Sequence, residues 1–506
     1  MLNPNEFALT SCSAARKVSH TLYLLLCVFL LGLLARSWGL SQESPWYDEV
    51  VTLRHLDAPN IPAFLDDVAA TGTPPMPVYF ALEYLWGNYV GNSAVSLRLL
   101  SIIFGQAAIL AIYSLGAQLF DRRAGLIAAF CLAASLVHVY FSQEIRMYAP
   151  IQFFAIMSVL ALHKALTSSQ RRWWIVNICF NVLLVWTHVF TILLIVAQAA
   201  YLLAFHRTPS KRNLAWGAAH VLLIGPGMLL WLRSLNLDRI YAAAEAISPI
   251  TAKDIAMTFL VFAGGRASNE APLGHLPFPI SLDVPLAGLI YGLAAWAVWR
   301  TVHRRRTNAA AREAQPIGLL VIWLVLPPLL LAAASVVWKP SFLYRYVLFS
   351  SLALYLLAGA AISSLPSHPW RMAATAFLVC LYTYQLSGLT VGPFRPDWRA
   401  AGEYVRSHAD PDDKLLVFQN INTVALQYSA DFPPSRIQTI EVWSEICPAI
   451  LTAHEQRKTT WLFTWLWADP TNIEQCFHEN RLAFTATDFP SWPILRVYEI
   501  RPKSGL

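Results

Sequence analysis

Charged residues are scarce in this chain. Of its 506 residues, 13% are Asp, Glu, Lys or Arg and 56% are hydrophobic, whereas soluble domains carry roughly 25% charged residues. This scarcity excludes an ordinary soluble protein. The net charge of +7 comes mostly from Arg and Lys in short loops between apolar runs, a pattern that orients membrane helices. We therefore expect a lipid bilayer, and no nucleic acid, as a partner.

The chain also lacks internal repeats, low-complexity tracts and any cysteine spacing typical of a metal finger. Four of its seven cysteines fall within apolar runs, where they are expected to pack as small apolar side chains. Cys447 and Cys476 lie in the polar C-terminal region. A disulfide between them and two separate thiols both remain open, and an external location would favour the disulfide.

Long apolar runs are abundant, and each can cross a hydrocarbon core of roughly 30 Å as a helix. The first run is too long for a cleaved signal peptide and is read as a retained helix. The sequence therefore predicts a mainly α, polytopic transmembrane helix bundle of about eleven spans, at about 20–40, 95–119, 124–141, 148–166, 173–188, 190–205, 214–232, 284–302, 316–337, 343–363 and 372–390.

Positive residues collect in alternate loops, which places those loops in the cytoplasm. Examples are Arg122 with Arg123, and the group Arg304, Arg305 and Arg306. With an odd number of spans, the C-terminus lies outside. We expect a multi-pass protein of the plasma (inner) membrane whose C-terminal region is external, or periplasmic in a bacterium.

The composition changes near residue 394. Residues 1–394 form the predicted transmembrane domain, with a long first outer loop at 41–94. Residues 395–506 lose the long apolar runs, and 397–405 reads as an amphipathic helix. The short apolar runs at 414–418 and 494–498 read as buried strands. A small extracytoplasmic α/β domain is therefore predicted for 395–506.

The polar residues that need an explanation lie on the predicted outer face. Asp48 and Glu49 directly follow the first span, where a carboxylate can meet both a lipid-borne and a water-borne substrate. Either acid is a candidate catalytic base. Alternatively, Glu49 could serve only to position Asp48. A third possibility is that both acids simply solvate the end of a helix. Charged residues at membrane depth usually mark a site.

A second polar group lies in the outer turn 142–148. Helical spacing there would put Glu144 and Tyr148 on one face, with Arg146 turned away from both. Glu144 is a candidate second catalytic acid and Arg146 a candidate phosphate ligand. Alternatively, Glu144 and Arg146 each pair across the bundle and hold two helices together.

Further candidates come from other outer segments. Arg345 and Lys339 could bind a phosphate group, or serve only as interface anchors. Tyr47, Tyr148 and His188 are candidate substrate-binding residues. Asp48, Glu49, Glu144 and His188 could together hold a divalent metal, although we expect that no metal or other cofactor is required.

Several of these motifs resemble the C-type-fold membrane glycosyltransferases. They are Trp46-Tyr47-Asp48-Glu49, Pro74-Pro75-Met76-Pro77-Val78-Tyr79, the segments 96–101 and 142–148, Arg345-Tyr346, and the 396–399 start of the outer domain. The resemblance is strongest over 40–150. The branch it points to is glycosyltransferase family 39, with the related protein mannosyltransferases and aminoarabinose transferases.

The resemblance implies transfer of a sugar from a polyprenyl-phosphate donor to an acceptor on the outer face. The acceptor could be a lipid, a glycan or a protein. Asp48 then corresponds to the catalytic base, attack opposite the phosphate inverts the anomeric centre, and no Gly-rich nucleotide loop is needed. Two departures stand out. The first loop contains no Lys, unlike the aminoarabinose transferases, and 233–283 is too short for the inserted domain of the eukaryotic protein mannosyltransferases.

The main competing interpretation is a transporter or flippase for a polyprenyl-linked or other polar lipid. Many spans with charged lining residues suit that class. The lack of a detectable repeat, and of helices visibly interrupted in the sequence, argues against it. A third interpretation is a non-catalytic partner that presents the outer domain.

Overall fold

A computed structural model describes residues 4–45, 47–71, 76–168, 170–206, 211–234, 249–264, 283–303, 308–337, 341–390, 395–430, 432–456, 458–465, 471–489 and 494–501. The described helices that precede the sheet are α1 (Pro4–Ser37), α2 (Tyr47–His55), α3 (Ile61–Ala70), α4 (Pro77–Tyr89), α5 (Ala94–Leu119), α6 (Arg122–Ala134), α7 (Leu136–Ser142), α8 (Tyr148–Thr167), α9 (Arg172–Thr187), α10 (Ile192–Phe205), α11 (Lys211–Ser234), α12 (Ala252–Phe262), α13 (Asp283–His303), α14 (Asn308–Val337), α15 (Ser351–Ser364) and α16 (His368–Leu386). Short 3₁₀ segments precede α10 at Val189–Thr191 and α15 at Tyr344–Ser350.

Six helical segments in the described ranges are long and apolar enough to cross a membrane. They are Ser19–Ser37, Ala94–Leu119, Tyr148–Thr167, Lys211–Arg233, Ala314–Val337 and Tyr344–Ser364. The helices α6 and α7 add a seventh span if they count as one, while the apolar helices at Arg172–Thr187 and Val189–Phe205 are shorter. Each of the eleven predicted ranges overlaps helical structure, but the count of eleven spans is not confirmed.

The helices α6 and α7 are separated by a bend, although no helix is visibly interrupted in the sequence. The axes of α6 and α7 differ by 63° at Ser135, a break that frees carbonyl groups at the end of α6. Arg36 fills this position: its guanidinium donates to the carbonyl oxygens of Leu132 and Ala133 at 3.1 Å each and to Ser142 Oγ at 3.1 Å. The bend is therefore packed with protein groups that satisfy the broken backbone.

The first outer segment, predicted only as a long loop, contains the three helices α2, α3 and α4. Asn60 caps α3 through a side-chain bond from the amide of Ala63, and Ser93 caps α5 in the same way. Such caps satisfy amides that have no partner within the helix. The helix α2, which carries Asp48 and Glu49, is the first helix after α1.

The C-terminal region forms the predicted α/β domain. Its elements are α17 (Trp398–His408), β1 (Lys414–Phe418), α18 (Asn420–Ala430), β2 (Ile437–Ile440), α19 (Ile446–Glu455), β3 (Thr460–Trp465), α20 (Thr471–Glu479), β4 (Ala483–Phe489) and β5 (Leu495–Arg501). The sheet order is β2-β1-β3-β5-β4. The first three strands are parallel and joined by helices, whereas β5 runs antiparallel to β3 and β4, as a hairpin-type connection allows.

Alternation along β1 gives this sheet two apolar faces. Leu415 and Val417 join the cluster that contains Trp398 of α17, while Leu416 and Phe418 join the cluster under α19 and α20. Successive strand residues point to opposite faces, so a run of apolar residues is buried on both sides. A disulfide joins Cys447 of α19 to Cys476 of α20, with their Cα atoms 6.2 Å apart.

Candidate active site

Asp48 lies in the first turn of α2, where a carboxylate is favoured by the helix dipole. Its side chain is 23% exposed, and Oδ2 lies 3.9 Å from Nε of Arg146. Arg146 also donates through Nη1 to the backbone oxygen of Asp48 at 3.4 Å. Asp48 therefore combines access to solvent with a neighbouring cation, which is the arrangement that a base next to an anionic leaving group needs.

Glu49 lies beside Asp48 in the sequence but is fully buried. Its Oε1 accepts from Nε of Arg98 at 3.2 Å and from the amide of Ile145 at 2.9 Å. Its Oε2 accepts from Nη2 of Arg98 and from Nη1 of Arg395, both at 2.9 Å. Because both oxygens are held by buried donors, the geometry favours a structural role for Glu49.

Residues 143–147 form a turn between α7 and α8, whereas helical spacing was expected there. In that turn Arg146 lies beside Asp48 and interacts electrostatically with Glu144 and Tyr148, so the expectation that Arg146 turns away from the last two is wrong. Ser101 holds the turn by donating its hydroxyl to the backbone oxygen of Glu144 at 2.6 Å. The break in the helix is thus what brings both charges to one place.

Glu144 is buried, with 3% of the residue exposed. Within the described ranges, its Oε2 has no hydrogen-bond partner. Burial raises the pKa of Glu144 to about 8; Arg395 and Arg146 act in the opposite direction, and Glu49 and Asp48 reinforce the rise. A carboxyl group with such a pKa can stay protonated at neutral pH.

Arg146 is a buried cation with capacity to bind a further group. It is 7% exposed, it lies over the Phe80 ring at 5.9 Å, and its Nε has no hydrogen-bond acceptor among the described residues. A buried guanidinium donor without an acceptor is costly. An anionic oxygen bound here would remove that cost.

Arg345 reaches the same region from the 3₁₀ segment that precedes α15. Arg146 and Arg345 both act electrostatically on the imidazole of His188. The ring of His188 lies 4.9 Å from that of Tyr346. Tyr148, which is buried at the start of α8, also interacts electrostatically with Arg345 and Arg146.

The structure thus brings together Asp48, Glu144, Arg146, Arg345, Tyr148 and His188, with Glu49 beneath them. Lys339 lies outside the described residues, and nothing is described of the Tyr47 side chain. No three His, Cys, Asp or Glu side chains converge as a metal-binding group in the part of the chain that the structure describes. Independence of a metal stays a prediction.

Sequence reasoning missed three charged residues of this site. Arg98 and Arg395 bind Glu49, and Glu83 of α4 is fully buried and accepts a 3.0 Å bond from the hydroxyl of Thr52. Burial raises the pKa of Glu83 to about 8. A single acid within an otherwise apolar helix was the signal in the sequence that could have identified Glu83.

Comparison with known proteins agrees with this architecture. Residues 73–231 match the model of the dolichyl-phosphate-mannose-protein mannosyltransferase family. The crystal structure of ArnT from Cupriavidus metallidurans bound to undecaprenyl phosphate superposes with a TM-score of 0.57 at 13% identity, covering 96% of this chain and 98% of that one. The chain has the fold of the membrane glycosyltransferases of the C type.

An archaeal member of the same fold is also similar. The oligosaccharyltransferase AglB from Archaeoglobus fulgidus, in complex with an inhibitory peptide and a dolichol-phosphate, gives a TM-score of 0.51 at 12% identity, over 91% of this chain and 70% of that one. No curated protein sequence matches the chain significantly. The resemblance and the fold class predicted from the sequence are confirmed.

Proposed function

We propose that the protein is an integral membrane glycosyltransferase that moves a sugar from a polyprenyl-phosphate donor to an acceptor hydroxyl on the outer face of the membrane. The observation that carries the proposal is the pairing of a partly exposed carboxylate, Asp48, with the buried guanidinium of Arg146. The ArnT and AglB structures contain undecaprenyl phosphate and dolichol-phosphate respectively, which supports a lipid phosphate as the donor's leaving group.

In the proposed reaction, Asp48 accepts the proton of the acceptor hydroxyl as its oxygen attacks the anomeric carbon. The bond from that carbon to the phosphate oxygen breaks, and its electron pair leaves with the polyprenyl phosphate. Arg146 and Arg345 bind the phosphate and stabilise the charge that develops on it. Attack from the face opposite the phosphate inverts the anomeric centre.

The outer face is also a proposal, and the Cys447–Cys476 disulfide supports it because structural disulfides persist in oxidising compartments. The C-terminal domain would then lie in the periplasm or outside the cell. Tyr148 and His188 both interact electrostatically with the two arginines and would contact the donor there. The sugar and the acceptor are best identified from the glycan and lipid profile of a strain that lacks the protein.

The test is Asp48→Asn in purified protein reconstituted in lipid vesicles, with labelled undecaprenyl-phosphate sugars as donors and membranes of the deletion strain as the acceptor source. We expect transfer to fall by about 100-fold or more, since general-base catalysis contributes about 10² to 10⁴. The control is Asp57→Asn, which changes an exposed acid just after α2. Full transfer by Asp48→Asn would rule out the base assignment, and lipid movement without a glycosidic product would indicate a flippase.

A further inference from the structure

The outer domain and the membrane bundle meet at one buried carboxylate. Glu49 Oε2 accepts one bond from Arg98 of α5 and one from Arg395, which lies three residues before α17. Arg98 is 1% exposed and Arg395 is 2% exposed. The helix that carries Asp48 is therefore fixed from both sides, by one arginine of each domain.

Arg395 contacts the second half of the site as well. Its Nη2 donates to the backbone oxygen of Gln143 at 3.2 Å, and its guanidinium lies over the Tyr140 ring at 5.4 Å. Gln143 begins the turn that carries Glu144 and Arg146. One side chain from the outer domain thus binds both α2 and the 143–147 turn, the two segments whose spacing sets the distance from Asp48 to Arg146.

Apolar packing reinforces this link. Val50, two residues after Asp48, is 1% exposed and belongs to the same core cluster as Trp398, Ala401 and Leu426 of the outer domain. In addition, the amide of Ala94 donates to the hydroxyl of Tyr428 in α18 at 2.8 Å. The helix α2 therefore contributes to the outer domain's core, while Asp48 and Glu49 pair with Arg146 and Arg98 of the membrane bundle.

We propose that Arg395 is a positioning residue, through which the outer domain holds Asp48 and Arg146 at their working separation. This inference rests on the proposed function. Arg395 does not contact the substrate in this scheme, because its guanidinium is buried and engaged by Glu49, Gln143 and Tyr140. The outer domain is then part of the catalytic machinery as well as a platform for an acceptor.

The experiment compares Arg395→Met, Arg395→Lys and the control Arg399→Met in the full-length protein in lipid nanodiscs. Arg399 is exposed in the first turn of α17, so its replacement matches the change in size and charge. The first readout is hydrogen exchange of the backbone amides in 47–55 and 143–147 without any substrate. The second is kcat and donor KM, measured with labelled undecaprenyl-phosphate sugars.

We expect Arg395→Met to speed amide exchange in both segments and to lower kcat by about 100-fold, the size of effect seen when reacting groups shift by about 1 Å, with donor KM nearly unchanged. Arg395→Lys keeps the positive charge and can still bind Glu49, so its kcat should lie between those of Arg395→Met and the unmodified protein. If Arg395→Met does not fold, Arg395→Lys still tests the proposal through the same two readouts.

Unchanged exchange in 47–55 would overturn the proposal, as would a raised donor KM with a normal kcat, which would make Arg395 a donor ligand. A failure of the proposed function is recognised separately. In that case the unmodified protein forms no product from any donor, while the exchange measurement still reports whether Arg395 holds the two segments.

Discussion

Asp48 and Glu49 are adjacent in the sequence, yet their carboxylates occupy opposite environments. The Asp48 side chain is 23% exposed with one cation 3.9 Å away, whereas that of Glu49 is fully buried and bound by two arginines. A helix directs neighbouring residues about 100° apart, so one acid of such a pair can face the substrate while the next faces the core. Substitutions of Asp48 and of Glu49 should therefore have different effects.

We expect Glu49→Gln to act mainly on stability. It would leave Arg98 and Arg395 buried without a counter-charge, and removing one partner of a buried ion pair typically costs about 3–5 kcal/mol. Thermal unfolding in detergent, followed by tryptophan fluorescence, measures the change. Glu445→Gln, an exposed acid of the outer domain, is the control. A Glu49→Gln protein with normal stability and normal amide exchange in 47–55 that fails to transfer sugar would instead make Glu49 catalytic.

Local patterns in the sequence predicted the elements but not the long-range pairings. The β1 strand was predicted at its observed position because a short continuous apolar run between polar turns is typical of a strand that is buried on both faces. The α17 helix was predicted from its amphipathic spacing. Arg98, Arg395 and Glu83 were missed as site residues because their partners lie far away in the chain, and no local pattern indicates which acid an arginine will meet.

The 143–147 turn shows the same limit on a smaller scale. The sequence placed Glu144 and Arg146 at an outer helix end, but regular spacing could not show that the helix stops at Ser142 and resumes at Tyr148. That stop depends on tertiary contacts, including the bond from Ser101 and the amide of Ile145 donating to Glu49. Which of two adjacent acids is buried is likewise decided by packing.

Arg345→Ala should weaken donor binding. A charge-assisted contact to a phosphate contributes about 1.5–3 kcal/mol, so donor KM should rise by roughly 10- to 100-fold. The KM for the acceptor should change much less, because in the proposed reaction Arg345 binds the donor phosphate whereas Asp48 accepts the proton of the acceptor. Steady-state kinetics with varied donor measures the effect, and Arg122→Ala, at the opposite end of the bundle, is the control. Unchanged donor kinetics would mean that Arg345 only anchors the segment.

Glu144 should make stability fall with rising pH. Its pKa is raised to about 8 in the folded protein from an ordinary value of about 4.3, so the folded state binds more protons than the unfolded state between these two values. The stabilisation is complete below about pH 4 and is lost as pH rises towards 8. Melting temperatures of Glu144→Gln and of the unmodified protein between about pH 4 and pH 8 measure this pH-dependent contribution of Glu144 to stability. We expect the variant to be less pH-dependent and more stable at pH 8; parallel curves would contradict a buried, protonated Glu144.

The disulfide between Cys447 and Cys476 should stabilise the outer domain. It closes a loop between residues 29 positions apart, for which the chain-entropy estimate is about 3–4 kcal/mol. The double substitution Cys447→Ser and Cys476→Ser should therefore lower the unfolding temperature of this domain and speed its proteolysis, and dithiothreitol should have the same effect on the unmodified protein. Cys380→Ser, which removes an exposed free cysteine of α16, is the control. Because Arg395 binds Glu49, loosening the outer domain should also lower the rate of sugar transfer. Equal stability of the oxidised and reduced protein would contradict the prediction, since it would show that α19 and α20 hold together without the disulfide.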